Sequence, residues 1–266
     1  MPRLGSNGGL MGPRRVSTTS NASGSWLLDE QCDAQRAGIW PAVIEQQDPY
    51  WENVSLLLHM DGSDGSTTFI DSSPNNYTVS RVGTCTISTA QSRFGGSSYF
   101  SETLSDFLEI PGFVFPTGDF TFECWWYPRE FTDGYKCFFY TAGSSGQYQI
   151  FTTNDDFTGR RIFVIDSRGP FYITSGVTSP ELTIEINQWH HVAVTREGSV
   201  LRTFFDGTLH QTGTLNLPLQ GTSLLVGYHL SDANSEFGYL DEIRFTSNIA
   251  RYTSNFTPPT SPFPNS

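Results

Sequence analysis

Lysine is almost missing from this chain. Lys136 is the only one in 266 residues, and acidic residues outnumber lysine plus arginine 27 to 15. A net charge of −12 repels phosphate backbones, so nucleic-acid binding is not expected; the acidity serves solubility instead. Cysteine is scarce as well. Cys32, Cys85, Cys124 and Cys137 show no CxxC spacing, which argues against a zinc site. Cys124 lies within an aromatic strand pattern and reads as a buried free thiol, while a Cys124–Cys137 pair across two neighbouring strands stays open. The basic start MPRLGSNGGLMGPRR lacks the apolar core of about 7–15 residues that a secretory signal needs. No stretch approaches the roughly 18 apolar residues of a membrane-spanning helix, so no membrane insertion is expected. Heptads and internal repeats are absent too.

What is present points to β-structure. Aromatics make up 14% of the chain and charged residues only 16%. Aromatic and β-branched residues suit pleated, half-buried surfaces, and Gly, Asn and Asp clusters suit turns. Residues 1–52 read as an N-terminal arm: Gly/Ser/Thr/Arg-rich at first, then a short helix in SWLLDEQCDAQRAGIWP capped by Ser25 or Asp29. From residue 53 to 266 short strands alternate with turn signals. DFTFECWWYP places Phe120, Phe122, Cys124 and Trp126 on one face, and Trp125 on the other. KCFFYTAG, YQIFTT, RIFVIDS and PFYITS follow. WHHVAVTREGSVLRTFFDGTLHQT reads as three strands with turns at Glu197–Ser199 and Asp206–Gly207, and Asp-Gly between strands is a strong hairpin signal. About a dozen strands without a long helix define an all-β sandwich or jelly roll.

The pieces LLLHMDGSDGSTTFIDSSPNN, FGGSSYF, DFTFECWWYP, WHHVAVTREGSVLRTFFDGTL and FGYLDEIRFTSNIARYTSNFTPP occur in an order that resembles the laminin-G-like (LamG-like), concanavalin A-like jelly-roll family, over residues 54–264. The resemblance implies an antiparallel β-sandwich whose last strand, in GYLDEIRF, pairs near the first. The following ARYTSNFTPP then wraps the sandwich edge with Tyr252 and Phe256 as plugs. HMDGSDGSTTFIDSSPNN with GYLDEIRFTSNIARYTSNFTPP looks like LamG-type domains of bacteriophage structural proteins, particularly of marine and cyanobacterial phages. The leader GLMGPRR…ASGSWLLDEQCDAQRAGIWP is similar to short leaders of phage virion proteins. The expectation is therefore a non-enzymatic virion structural protein, assembled in the host cytoplasm with reduced cysteines. Its arm would dock on other virion proteins through Arg3, Arg14, Arg15, Trp26, Leu27, Trp40 and Pro41, residue types favoured at interface centres. Its jelly roll would be displayed as a homo-oligomeric capsid decoration or tail appendage. The alternatives are a receptor-binding tail lectin for host surface glycans and a glycan hydrolase.

Site candidates follow from the same likeness. A hydrolase of this fold needs paired carboxylates; here only Glu123 and the Glu181–Glu185 segment approach that pattern, and no catalytic residue is assigned. His190 and His191 point to opposite strand faces, which suits structural support better than a shared ligand. No cofactor is assigned, with calcium left open. Many LamG-like domains bind that ion, and its hard-oxygen chemistry would draw on Asp61, Asp64, Asp71 and Asp241. Aspartates also simply favour turns, which is the preferred reading. For carbohydrate, the aromatic and amide candidates are Trp125, Tyr127, Tyr148, Asn154 and Tyr228.

Overall fold

The computed structural model describes residues 47–101, 103, 105–129, 135–142, 148–155, 159–166, 181–229 and 238–266. Residues 1–46 of the arm, with its short helix, the seven docking candidates and Cys32, and the PFYITS strand lie outside the described residues. The chain divides into two units, Met1–Gln46 and Gln47–Ser266. The second unit's contacts begin ahead of residue 53: Asp48 makes ion pairs with Arg244 and Arg251, and Trp51 packs beside Val54, Leu57 and Phe263.

After a 3₁₀ turn at Trp51–Asn53, the strands are β1 (Val54–Leu58), β2 (Ser80–Val82), β3 (Thr86–Ser88), β4 (Ser98–Ser101), β5 (Phe107–Pro111), β6 (Phe120–Tyr127) and β7 (Tyr135–Ala142). They continue as β8 (Tyr148–Asp155), β9 (Gly159–Asp166), β10 (His190–Glu197), β11 (Val200–Phe205), β12 (Thr208–Thr214), β13 (Ser223–His229) and β14 (Gly238–Ser247). Two antiparallel sheets result. The large sheet runs β12-β11-β10-β6-β14-β4-β3, with β1 also paired to β14; the small sheet runs β2-β5-β13-β7-β8-β9. The last strand thus pairs with the first, as the resemblance implied. It has room for both β1 and β4, because β4 bonds Gly238–Leu240 while β1 bonds Ile243–Thr246.

The period-2 pattern decides the core. Phe120, Phe122, Cys124 and Trp126 are all within 1% of complete burial and share one cluster with Phe139, Leu224 and Val226 of the small sheet. Phe245 of β14 packs against Phe120, Phe122 and Phe139 at 5.7, 6.3 and 6.0 Å between ring centroids. Burying one such side chain contributes about 1.5–3 kcal/mol. The hairpin expected at Asp206–Gly207 joins β11 to β12, with φ of 48° and 76°, the left-handed pair that a tight two-residue turn requires.

The open question of a Cys124–Cys137 pair is answered in the negative. The two residues lie on strands of different sheets, β6 and β7. Cys124 points into the main core and Cys137 into a separate cluster with Tyr140 and Leu225. Cys85, Cys124 and Cys137 are buried free thiols.

Candidate functional site

The face of β6 opposite the core carries Thr121, Glu123, Trp125 and Tyr127, and strand register extends each into a row across the large sheet. Glu123 stands opposite Ala193 of β10 and Arg244 of β14. Trp125 stands opposite His191 and Asp241, and Tyr127 opposite Tyr239. A bulge in β14 between Asp241 and Arg244, with Glu242 at φ +49°, re-aims these side chains.

The Glu123 row is a buried ionic network. Arg244 donates from Nε and Nη2 to Glu123 Oε1 at 2.9 and 2.7 Å, and from Nη1 to Asp48 Oδ2 at 2.7 Å. Arg251 donates to both Asp48 oxygens at 3.0 and 2.7 Å, and Tyr252 Oη donates to Glu123 Oε2 at 2.7 Å. Burial alone would raise the Glu123 carboxyl. Arg244, His191 and Arg251 outweigh it and hold the group far below the usual carboxylate range. Glu123 is fully buried and its oxygens are engaged, so it has no access to a glycosidic bond. Glu181 and Glu185 are exposed and lie outside any strand.

What covers this row is the C-terminal strap, residues 248–266. Thr195 Oγ1 donates to the Tyr252 carbonyl at 2.7 Å, and Phe256 N donates to the Gly207 carbonyl at 2.9 Å. Tyr252 stacks on Phe256 at 3.5 Å, and Phe256 reaches Phe204 and His191 at 5.4 and 5.6 Å. Gly207 is required here, because a Cβ at its φ of +76° would overlap the Phe256 carbonyl oxygen. Farther on, Phe263 N donates to Glu242 Oε2 at 2.8 Å, and Arg244 lies 3.7 Å over the Phe263 ring. Asp48 N donates to the Ser266 carbonyl at 2.7 Å. The strap therefore lies on the sheet face and not only along its edge.

Beyond His191, among the described residues, the next row is partly exposed. Trp189, Tyr127, Tyr239 and Phe100 run side by side from the start of β10 across β6 and β14 to β4. Successive ring centroids are 5.4, 5.7 and 4.7 Å apart. Trp189, Tyr127 and Phe100 are partly exposed; Tyr239, 6% exposed, is wedged between two of them. Gly238 makes the approach possible, since a Cβ there would run into the Tyr127 carbonyl oxygen. Arg129 sits 5.5 Å over Phe100 at one end. Between the open and covered rows, Arg93 lies 4.0 Å over Trp125, and Trp125 meets His191 edge-on at 5.1 Å.

The five carbohydrate candidates do not form one site. Trp125 and Tyr127 belong to this face. Tyr228 lies on the small sheet, against Tyr140 and Phe107 at 5.0 and 5.2 Å. Tyr148 and Asn154 are in β8 of the same small sheet, and their side chains lie outside the described residues. Trp189, Tyr239 and Phe100 were not singled out from sequence, because only register places them beside Tyr127.

The four aspartates are not brought together as one ligand set either. Asp71 accepts from Leu57 N, Ser73 N, Ser73 Oγ and Tyr77 N. Asp64 accepts from Thr89 N and Oγ1, and Asp61 lies against Gly95. Asp241 accepts from Arg93 N, Phe94 N and Glu242 N, while burial pushes its carboxyl up to about 8. These carboxylates organise loops. Among the described residues no three His, Cys, Asp or Glu side chains gather as a metal site. His190 is structural: it bonds Asp206 and the Glu185 carbonyl and stacks on Phe205.

Fold and strand order define a jelly-roll domain of the lectin kind. Residues 101–250 match the model of the concanavalin A-like lectin/glucanases superfamily, and the chain belongs to that superfamily. It is similar to domain 4 of AbnA, an extracellular arabinanase from Geobacillus stearothermophilus solved with arabinotriose. The TM-score is 0.55 at 17% identity, over 73% of this chain and 92% of that one. It is also similar to part of a Trypanosoma rangeli sialidase, with TM-score 0.50 and 12% identity, over 73% of this chain but only 30% of the sialidase. At such identities the likeness is one of fold. Among curated proteins, none matches the chain.

Proposed function

We propose that the chain is a non-enzymatic structural protein of a phage virion, whose jelly roll binds carbohydrate on the particle surface and whose first 46 residues anchor it there. The observation that carries the binding reading is the open row Trp189–Tyr127–Tyr239–Phe100. Contiguous aromatic surface marks binding sites more often than chance, and this row presents three partly exposed rings beside the strap-covered part of the same face. Aromatic rings present a flat apolar body to the C–H face of a sugar, and tyrosine and tryptophan add polar tips. Superfamily membership favours a lectin-type role, and the burial of Glu123 favours binding without hydrolysis. The virion setting rests on the likeness of the leader and strap sequences to phage structural proteins.

The test is glycan binding by the full chain on an array that includes arabinotriose and sialylated sugars. Wild-type protein is expected to bind, and Tyr127→Ala with Trp189→Ala to lose the signal while keeping its fold by circular dichroism. Binding that survives the double change overturns the site. Mass spectrometry of purified particles tests the setting, since absence of the chain from them removes the virion reading.

A further inference from the structure

A sheet edge offers a row of unpaired N–H and C=O groups, and folded proteins shorten, charge or cover it. Most edges here are managed in those ways. At β3, Ile87 N donates to the Ser66 carbonyl at 2.8 Å and Gly65 N to the Ile87 carbonyl at 2.9 Å. At β1, Ser72 N donates to the Leu57 carbonyl at 2.8 Å. β2 is three residues long and carries the exposed Arg81, and β9 carries Arg160, Arg161 and Asp166. β12 differs. It ends the large sheet with seven residues, TLHQTGT, that include no charge and no proline. Leu215 N donates to the Ser199 carbonyl at 2.9 Å. In that register the pairs Leu201–Gly213 and Thr203–Gln211 exchange the bonds between β11 and β12. Thr212 and Thr214 therefore turn their N–H and C=O groups outward. The strap caps the start of the strand, where Leu209 N donates to Asn255 Oδ1 at 2.8 Å. The outward groups of Thr212 and Thr214 have no partner among the described residues, and both residues are exposed.

We infer that β12 is a self-association edge, which pairs antiparallel with β12 of a second copy about a two-fold axis at Gly213. Such an axis sets Thr212 of each copy against Thr214 of the other, and each pair exchanges both its bonds. A two-fold contact of this kind is self-complementary and closes at a dimer. Two observations select a second copy as the occupant. The first is charge. From Gly207 to Ser231 the chain holds no Asp, Glu, Lys or Arg, although its net charge is −12. Two acidic copies repel wherever their carboxylates meet, and this stretch lets them approach without that cost. The second is apolar surface. Leu209 and Leu217 are 38% and 44% exposed and stand four residues to either side of Gly213. The axis brings Leu209 of one copy toward Leu217 of the other. The bulge of β12 faces Thr203–Phe204 and leaves Gln211–Thr214 in regular register. Antiparallel neighbours keep side-chain alternation in step, so the two large sheets join with their outer faces on the same side. Both open aromatic rows then face one way and can engage one surface together; this last consequence rests on the carbohydrate-binding reading.

The test is sedimentation equilibrium of the full chain over a wide range of concentration. Wild-type protein is expected to pass from monomer to dimer as concentration rises, and the amides of residues 211–215 to exchange more slowly with deuterium as it does. Thr212→Pro removes an outward N–H that β11 does not use, a change that edge strands tolerate. It is expected to weaken the dimer by about tenfold or more, a loss within the range of one hot-spot contact. A merely structural edge predicts the reverse, a lower melting midpoint with unchanged association. Leu217→Asp changes an exposed side chain outside the strand and sets a charge beside Leu209 of the second copy. It is expected to weaken the dimer as well, and it decides the matter should Thr212→Pro fail to fold. A wild-type chain that stays monomeric throughout overturns the inference. So does a dimer undiminished by both changes, which would seat the contact on another surface such as the arm. Either failure leaves the carbohydrate-binding reading standing, because the open row lies on other strands.

Discussion

The outer face of the large sheet is divided in two, and its halves reverse the usual rule of apolar inside and polar outside. The covered half buries Glu123, Arg244, Asp48 and Arg251 beneath the strap. The open half leaves Trp189, Tyr127 and Phe100 partly exposed. Buried polar groups and exposed apolar rows are the informative departures from that rule. They occur here on the same face, four residues apart along β6. The covered half is closed chemistry: paired carboxylates, bonded guanidinium groups, and aromatic plugs above them. The open half keeps apolar surface. The proposed function assigns stability to the first and binding to the second, so changes in the two halves should separate the two properties.

The sharpest way to break that division is Glu123→Ala. It removes the acceptor for two Arg244 bonds and the Tyr252 hydroxyl, leaving an arginine that is 4% exposed with only one of its two charge partners, Asp48. Breaking a buried pair from one side costs about 3–5 kcal/mol. Urea denaturation should show a loss of that order, with Glu123→Gln milder because it keeps one carbonyl acceptor. Wild-type stability in Glu123→Ala would mean that the network contributes nothing to closing this half.

Next in size is Gly207→Ala, which asks whether the strap is an independent cover. The added methyl meets the Phe256 carbonyl at a left-handed φ, and overpacking of this kind costs about 1–3 kcal/mol. The strap should lift locally, so trypsin should cut after Arg251 faster than in wild type. Uniform loss of stability with no new cleavage would make strap and sheet one cooperative unit.

Much of the frame was legible in sequence because β-alternation has a rigid period. It placed Phe120, Phe122, Cys124 and Trp126 inside and Trp125 outside, and the Asp206–Gly207 dipeptide marked its own turn. Sheet membership was not legible. Cys124 and Cys137 look like neighbours along the chain, yet sit on different sheets, and the same partition separates Tyr228 from Tyr127. The two halves of the outer face were also hidden. Glu123 read as a lone strand carboxylate and Arg244 was not singled out, since the two are 121 positions apart and Asp48 is 196 from Arg244. Local pattern reports which way a side chain points, not what a distant strap lays over it.

A smaller effect probes the strap's far end. His59 donates from Nδ1 to Glu242 Oε1 at 2.8 Å, and Asn265 Oδ1 lies 2.8 Å from its Nε2. Burial disfavours the charged ring, but the hydrogen bond and charge of Glu242 outweigh it and raise its pKa from 6.5 to about 9. The folded state therefore holds a proton that the unfolded chain releases above pH 6.5. This contribution is whole below pH 6.5, falls between 6.5 and about 9, and is gone above. A melting midpoint lower by roughly 2–4 °C at pH 10 than at pH 6 corresponds to about 1 kcal/mol in a domain of this size. His59→Leu should flatten that slope, and an undiminished slope would assign it elsewhere.

The smallest effect on stability belongs to the open half, which is why it tests the division best. Trp189 precedes β10, is partly exposed, and meets Tyr127 at 5.4 Å. Trp189→Ala deletes an edge of the row without uncovering the core. Folding free energy should change by about 0.5 kcal/mol or less, as for surface sites outside special features. Glycan affinity should nevertheless fall about tenfold, equivalent to ~1.4 kcal/mol of binding. A variant that loses stability but binds normally would place Trp189 with the covered half, and the boundary drawn at His191 would have to move outward by one row.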